Sequence, residues 1–174
     1  MTSFASGIIP ARHSFEEVSI MRLCDFLDFD AVRISLPAGN KRGLLQSLGQ
    51  IAGQRLGFDP AAIVESIVER ERLGSTGFGG GVAIPHGKVA GLTTVYATMV
   101  RLAEPIDYKA IDGAKVDLAF LLLSPPDAGA HHLKALAAIS RVVRSGDIVD
   151  KLRGARSRDA LIAVLMAAEE RDAA

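Results

Sequence analysis

The sequence predicts a single α/β domain in which strands and helices alternate along the chain and pack in layers. Two observations support this fold class. The 174 residues fit one domain, and their composition, 49% hydrophobic and 23% charged, is that of an ordinary globular protein. Segments with the alternating pattern of strands also follow segments with helical periodicity, and no internal repeat interrupts that order.

The first strand and the first helix are predicted between positions 31 and 57. Residues 31–36 alternate apolar and polar positions, the pattern of a half-buried strand, and Pro37 closes it. From Asn40 onward, apolar side chains recur near helical spacing as far as Gly57, which predicts a helix that ends at this glycine. These apolar positions are Leu44, Leu48, Ile51 and Leu56.

A second helix is predicted directly afterwards, because Asp59 and Pro60 form an N-cap followed by a first-turn proline. Its end is predicted at Gly74, since Arg70 and Arg72 place cations in the last turn and glycine commonly stops a helix. The apolar side of this helix consists of Ile63, Ile67 and Val68.

The second half of the chain is predicted to contain two strands and two helices. Residues 93–102 and 116–123 have strand patterns, and the second is almost continuously apolar, so we expect it in the middle of the sheet. Helices are predicted over residues 131–143 and 160–169. The first of them is expected to turn Leu133, Leu136, Ile139 and Val143 towards the core.

Composition and charge exclude several classes of function. Twenty basic and twenty acidic side chains cancel, so no bulk field favours nucleic acid or an anionic membrane. The longest apolar run, residues 118–123, is far shorter than the roughly 20 residues of a membrane span. Cys24 is the only cysteine, and the amino-terminal sequence does not resemble a signal peptide. We therefore expect a cytoplasmic protein, with residues 1–20 as a flexible tail and residues 21–170 as the domain.

The sequence from Gly74 to Lys88, GSTGFGGGVAIPHGK, contains six glycines and one histidine. Val82 breaks both the Walker A motif and the dinucleotide-binding fingerprint, each of which requires a small residue at that position. No Gly-x-Ser-x-Gly elbow surrounds Ser75, and the four histidines and Cys24 lack the paired spacing of metal ligands. We therefore expect neither a metal nor a cofactor.

His86 in this stretch is compatible with two roles. It fits a structural turn residue, and it also fits a nucleophile, because neutral imidazole can accept and release a phosphoryl group near pH 7. Transfer would require cations, hydroxyls or backbone N–H groups for the phosphoryl oxygens. The predicted phosphate-binding positions are Ser75, Thr76 and Gly87.

The segment RERLGSTGFGGGVAIPHGK closely resembles the active-site segment of phosphotransferase-system IIA domains of the mannitol/fructose type, and most of all the nitrogen-regulatory subfamily. The downstream segment EPIDYKAIDGAKVDLAFLLLSPPDAGAHHLKALA supports the same assignment. The resemblance covers roughly residues 21–170. It implies a mixed β-sheet flanked by helices on both faces.

The resemblance also implies site residues. His86 matches the phosphorylated histidine, and His132 matches the second active-site histidine, whereas His131 is one residue out of register. Arg70 matches the active-site arginine of the family. One departure is Gly80, where many relatives have asparagine or an acidic residue.

The function implied is that of a bacterial regulatory phosphoryl carrier. It would accept a phosphoryl group on His86 from an HPr-type phosphocarrier and signal its phosphorylation state to nitrogen-, carbon- or potassium-related targets, such as sensor kinases or transporters. One alternative is a sugar-specific IIA component that passes phosphate to a IIB domain. Another is a non-enzymatic binding module with the same fold, although the presence of His86, His132 and Arg70 together argues against it.

Overall fold

The computed structural model describes residues 20–172, and side chains are described up to residue 170. The predicted tail, residues 1–20, therefore lies outside the described residues except for Ile20. Within the described part, five α-helices and one β-sheet follow two short 3-10 helices, Leu23–Asp25 and Phe29–Ala31. This arrangement confirms the predicted α/β class.

A single mixed sheet forms the centre of the described part of the chain. The strands are β1 Arg33–Leu36, β2 Gly77–Gly79, β3 Val82–Ala83, β4 His86–Lys88, β5 Tyr96–Ile106 and β6 Val116–Ser124. Their order is β1-β5-β6-β3-β2, and β4 pairs with β6 beyond β3 on the same edge. β5 and β6 are antiparallel, whereas β3 and β4 both run parallel to β6.

Helices cover both faces of the sheet, as the resemblance implied. They are α1 Lys41–Leu56, α2 Pro60–Arg72, α3 Ala130–Arg144, α4 Gly146–Gly154 and α5 Arg158–Asp172. β6 divides its side chains between two cores: Phe120 packs with residues of α3, α4 and α5, and Leu121 packs with residues of α1 and α2. β6 is thus the buried central strand that its apolar run predicted. No helix within residues 20–172 is long and apolar enough to cross a membrane.

Local sequence signals place the first two helices as predicted. The Asn40 side chain accepts a hydrogen bond from the Gly43 N–H (2.9 Å), and Gly57 ends α1 in the left-handed conformation at φ 73°. The Asp59 side chain accepts from the Ala61 N–H (3.0 Å), with Pro60 in the first turn of α2. α2 ends at Arg72, directly before the glycine-rich segment that begins at Gly74.

Two predictions about individual elements are corrected by the structure, and one helix was not predicted. Leu133 is 66% exposed, because the buried stripe of α3 begins at Ala135, two residues later and about 200° around the helix. β5 begins at Tyr96 rather than residue 93, and it extends to Ile106. α4 had no counterpart among the predicted elements.

The glycine-rich segment folds into three short strands. It contains β2, β3 and β4, and His86 is the first residue of β4 rather than part of a turn. The reason is the free edge of β6: the Leu122 N–H donates to the Pro85 carbonyl (3.0 Å), and β4 then pairs with β6 as far as Lys88. Long-range pairing therefore overrides the local turn signal.

Candidate functional site

His86 is held between the sheet and α2. It is half-buried and lies opposite Leu122 in the pairing of β4 with β6. β4 also packs directly against α2, and glycine is required at position 87 for this approach. A Cβ atom on Gly87 would lie 2.4 Å from Ser66 Oγ, well inside van der Waals contact.

The imidazole of His86 is fixed by one hydrogen bond on each ring nitrogen. Nδ1 lies 2.7 Å from the carbonyl oxygen of Ile84, and because a carbonyl can only accept, Nδ1 carries the proton. The lone pair is then on Nε2, which accepts a hydrogen bond from Arg70 Nε at 3.1 Å. The nucleophilic nitrogen of this tautomer is Nε2.

Arg70 reaches the site from the last turn of α2. Besides its contact with His86, it donates from NH1 to the Gly74 carbonyl at 3.0 Å. The side chain therefore bridges the histidine and the beginning of the glycine-rich segment. Its guanidinium is a fixed positive charge beside Nε2, where the oxygens of a transferring phosphoryl group would carry negative charge.

His132 completes a pair of facing imidazoles. It lies in the first turn of α3, with its ring centroid 5.5 Å from that of His86 and its plane tilted by 47°. Its Nδ1 is 2.7 Å from Ser124 Oγ, the hydroxyl of the last residue of β6. Ser124 is fully buried, so it fixes the orientation of the His132 ring.

The surroundings lower the pKa of both histidines. Burial lowers the pKa of His86 most, and the Arg70 charge adds to this, against the opposing effects of the hydrogen bond to Ile84 and of Glu71. For His132, burial again lowers the pKa most, followed by the charges of His86, Lys88 and Arg70. Both imidazoles are therefore neutral near pH 7, so Nε2 of His86 keeps its lone pair.

The three predicted phosphate-binding positions have other contacts. Thr76 is buried, its N–H donates to both carboxylate oxygens of Glu71 (2.9 and 3.2 Å), and its hydroxyl also donates to Glu71. Ser75 Oγ accepts from the Gly77 N–H at 3.2 Å. Gly87 allows close packing against α2. A role of these three residues in phosphate binding stays a prediction.

Gly80, the departure from the family pattern, lies at the tip of the β2–β3 hairpin. Its N–H donates to Asp112 Oδ2 (2.9 Å), and its carbonyl accepts from Arg153 NH2 (2.6 Å). Its φ of 61° is left-handed, a conformation that glycine adopts without strain. The hairpin tip is therefore hydrogen-bonded on both sides without an asparagine or an acidic side chain at position 80 itself.

Three central residues of the site were predicted from the sequence, but the residues that hold them in position were not. His86, His132 and Arg70 come together, although they are separated by up to 62 positions in the chain. Ser124 and Glu71 were not singled out. The position of Ser124 at the carboxyl end of a buried strand was the one available signal, since polar groups at such ends commonly line sites. Among the described residues, no group of three or more His, Cys, Asp or Glu could hold a metal ion.

Comparison with known proteins agrees with the geometry. The family model of the phosphoenolpyruvate-dependent sugar phosphotransferase system, EIIA 2, matches residues 25–168. A nitrogen regulatory protein of Bradyrhizobium diazoefficiens is 43% identical over 145 residues, covering 83% of this chain and 95% of that protein. One from Pseudomonas aeruginosa is 38% identical over 134 residues, covering 76% and 87%. The crystal structure of nitrogen regulatory protein IIA-Ntr from Neisseria meningitidis superposes with a TM-score of 0.76 at 32% identity, covering 81% of this chain and 97% of that one.

Proposed function

Because the chain belongs to the EIIA 2 family of the phosphoenolpyruvate-dependent sugar phosphotransferase system, we propose that it is a regulatory phosphoryl carrier that is phosphorylated on His86. The observation that carries this proposal is the arrangement of His86, with Nδ1–H bound to Ile84 and Nε2 facing Arg70. Relatives named nitrogen regulatory proteins, at up to 43% identity, support the regulatory role over a sugar-specific one.

The proposed transfer is an in-line displacement between two histidines. The Nε2 lone pair of His86 attacks the phosphorus of the phosphohistidine of the donor, and the donor's P–N bond breaks, returning its electron pair to the donor ring. The proton on Nδ1 of His86 stays in place. Positive charge develops on the ring as the new N–P bond forms, and the Ile84 carbonyl, 2.7 Å from Nδ1, stabilises it.

Arg70 and His132 act on the oxygens of the transferring group. Arg70 now donates to the lone pair that attacks, so this hydrogen bond must pass from Nε2 to a phosphoryl oxygen as the group arrives. Its second hydrogen bond, to the Gly74 carbonyl, holds the guanidinium near the site during this exchange. If Ser124 Oγ donates to Nδ1 of His132, the Nε2–H of His132 is available to donate to another phosphoryl oxygen.

The proposed donor is a small phosphocarrier protein of the HPr type. Two exposed apolar side chains adjoin the site residues in the chain and support docking of a protein rather than a small metabolite. Leu73 is 85% exposed and directly precedes Gly74, and Leu133 is 66% exposed and directly follows His132. The proposed targets are proteins of nitrogen, carbon or potassium regulation, which read whether His86 is phosphorylated.

Phosphorylation in a reconstituted system tests this function. The protein is incubated with phosphoenolpyruvate, the first enzyme of the system and its HPr-type carrier, and the added mass is measured. We expect one phosphate, labile in acid and stable in base, because the bond is a phosphoramidate. His86→Ala should abolish the uptake, whereas His131→Ala, a change at an exposed neighbour of His132, should not. Acid-labile phosphate on the His86 variant would refute the assignment.

A further inference from the structure

Glu71 is a buried carboxylate that directly follows Arg70 in the last turn of α2. Its side chain is only 7% exposed and forms an ion pair with Lys41 at the start of α1. It also accepts from the N–H and the hydroxyl of Thr76, and from Tyr108 OH at 3.4 Å. Burial alone would raise the pKa of Glu71, but the hydrogen bonds from Lys41 and Thr76 outweigh this, so its pKa is lowered and it stays ionised.

Two chains of contacts lead from Glu71 to the phosphorylation site. The first follows the turn after α2, where the Gly74 N–H donates to the Glu71 carbonyl at 3.2 Å. Thr76, two residues later, is bound by the Glu71 side chain. The Gly74 carbonyl lies between these two anchored points and accepts a hydrogen bond from Arg70 NH1. Because Glu71 holds both Gly74 and Thr76, it fixes the position of this carbonyl and therefore of the Arg70 guanidinium.

The second chain reaches the nucleophile itself. The Thr76 carbonyl accepts from the Ile84 N–H at 2.9 Å, and the Ile84 carbonyl accepts from His86 Nδ1 at 2.7 Å. The position of the Ile84 carbonyl selects the tautomer of His86, because it fixes which nitrogen carries the proton. Three successive hydrogen bonds therefore connect the Glu71 carboxylate to Nδ1 of His86, the ring nitrogen that carries the proton.

We propose that Glu71 is a positioning residue for phosphoryl transfer, which holds Thr76 so that the Ile84 and Gly74 carbonyls fix the tautomer of His86 and the guanidinium of Arg70. This proposal rests on the proposed function. It also gives Thr76 a role that differs from direct phosphate binding. The carboxylate does not touch the phosphoryl group, and it acts through the main chain of the glycine-rich segment.

A purely structural role would have a different signature. Removing a buried, hydrogen-bonded carboxylate lowers stability whatever its effect on the site. The tautomer of His86 is independent of stability in the folded protein, and it can be read without any donor. The ¹⁵N chemical shifts of the imidazole distinguish the Nδ1–H form from a mixture of tautomers, so they separate positioning from simple stabilisation.

The test compares Glu71→Gln with Glu69→Gln, a change at an exposed carboxylate two residues earlier on the same helix. Thr76→Val removes the hydroxyl that contacts Glu71 and Tyr108, and Thr76→Ser restores it. For each variant we measure the first-order transfer rate at saturating donor, the KM for the donor, the melting temperature and the ¹⁵N shifts of His86. Thr76→Val carries the same prediction if Glu71→Gln fails to fold.

We expect Glu71→Gln to slow transfer by about 10- to 100-fold, the range that follows from misplacing reacting groups by on the order of 1 Å. The KM should stay close to that of the wild type, and the His86 signals should shift towards mixed tautomers. Thr76→Val should change both readouts in the same direction, Thr76→Ser should reverse most of that change, and Glu69→Gln should match the wild type.

Two results would overturn the positioning role: wild-type transfer rates in Glu71→Gln and Thr76→Val, or slower transfer with an unchanged His86 tautomer. A wild-type protein that takes up no phosphate would refute the proposed function instead. In that case mixed tautomers in Glu71→Gln would still support the link from Glu71 to His86, and a single tautomer would refute it.

Discussion

Replacing Gly87 by alanine separates two roles of this residue, since alanine keeps the N–H group but adds a Cβ. That atom would lie 2.4 Å from Ser66 Oγ, 3.1 Å from the Ser66 carbonyl carbon and 3.2 Å from Ile67 Cγ2. Non-bonded carbon atoms prefer roughly 3.5–4.0 Å. Ser66 Oγ can rotate away only by losing its 2.6 Å hydrogen bond to the Lys88 carbonyl, and the main-chain carbon cannot rotate. β4 must therefore move away from α2 by a few tenths of an ångström to 1 Å.

This movement carries His86 with it, because His86 immediately precedes Gly87 in β4. Overpacking of this kind costs roughly 1–3 kcal/mol, and each kcal/mol lowers the melting temperature of a domain of this size by about 2–4 °C. A displacement approaching 1 Å can slow a positioned reaction by up to about 10²-fold. We therefore expect Gly87→Ala to lower both the melting temperature and the rate of phosphoryl uptake.

The assays are thermal unfolding and single-turnover uptake from the phosphorylated donor. Gly39→Ala is the matched control, because no heavy atom lies within 4 Å of its added Cβ. Adding Ser66→Ala to Gly87→Ala removes the 2.4 Å contact and should recover part of the lost melting temperature. If Gly87→Ala instead has the melting temperature and the uptake rate of the wild type, the packing argument is wrong and glycine contributes only its N–H group.

Four further predictions concern the rest of the site. Arg70→Ala and His132→Ala should each slow uptake by about 10²–10³, or ~2–4 kcal/mol, because each removes one interaction with the charge on the transferring group; wild-type rates in both would contradict these roles. The lowered pKa values of His86 and His132 mean that the uptake rate should stay level as the pH falls from 8 to about 6.5 and decline only below it. Below about pH 6.5 the histidines bind protons more readily in the unfolded chain than in the folded protein, so the free energy of unfolding should decrease as the pH is lowered. Urea titrations at pH 7.5 and 5.5 should therefore give the lower free energy of unfolding at pH 5.5, and a higher value there would contradict the lowered pKa values. Gly80→Asn should lower the melting temperature less than Gly87→Ala does, because asparagine tolerates the left-handed conformation and open space surrounds the Cβ position. Thermal unfolding of the two variants side by side checks this order.

The parts of the fold that were predictable are those with local signals. Asn40, Gly57 and the Asp59–Pro60 pair mark the ends of α1 and α2, and the continuous apolar run of β6 marks the central strand. α4 was not predicted because it is only nine residues long, although Ser145 is at its N-cap and Lys151 and Arg153 are in its last turn. Strands β2, β3 and β4 depend on pairing with one another or with β6, about 35 residues away, which no local pattern expresses.

The candidate site divides in a similar way. His86, His132 and Arg70 were identified from the resemblance, since their spacing alone does not distinguish a nucleophile from a turn residue. The supporting role of Glu71 could not be identified from the sequence, because its contacts with Lys41 and Tyr108 join residues more than 25 positions apart. Thr76 was assigned to phosphate because of its hydroxyl, and the chain gives no sign that Glu71 binds that hydroxyl.

The position of the phosphate on the imidazole of His86 is the most direct test of phosphoryl transfer at this site. The protein is labelled with ¹⁵N in its histidines, phosphorylated by the HPr-type carrier, and the coupling between ³¹P and each ring nitrogen is measured. Because Nδ1 keeps its proton in a hydrogen bond to the Ile84 carbonyl and Nε2 holds the lone pair, the coupling is expected at Nε2 of His86. Coupling at Nδ1 of His86, or at either nitrogen of His132, would contradict the assignment of the nucleophile.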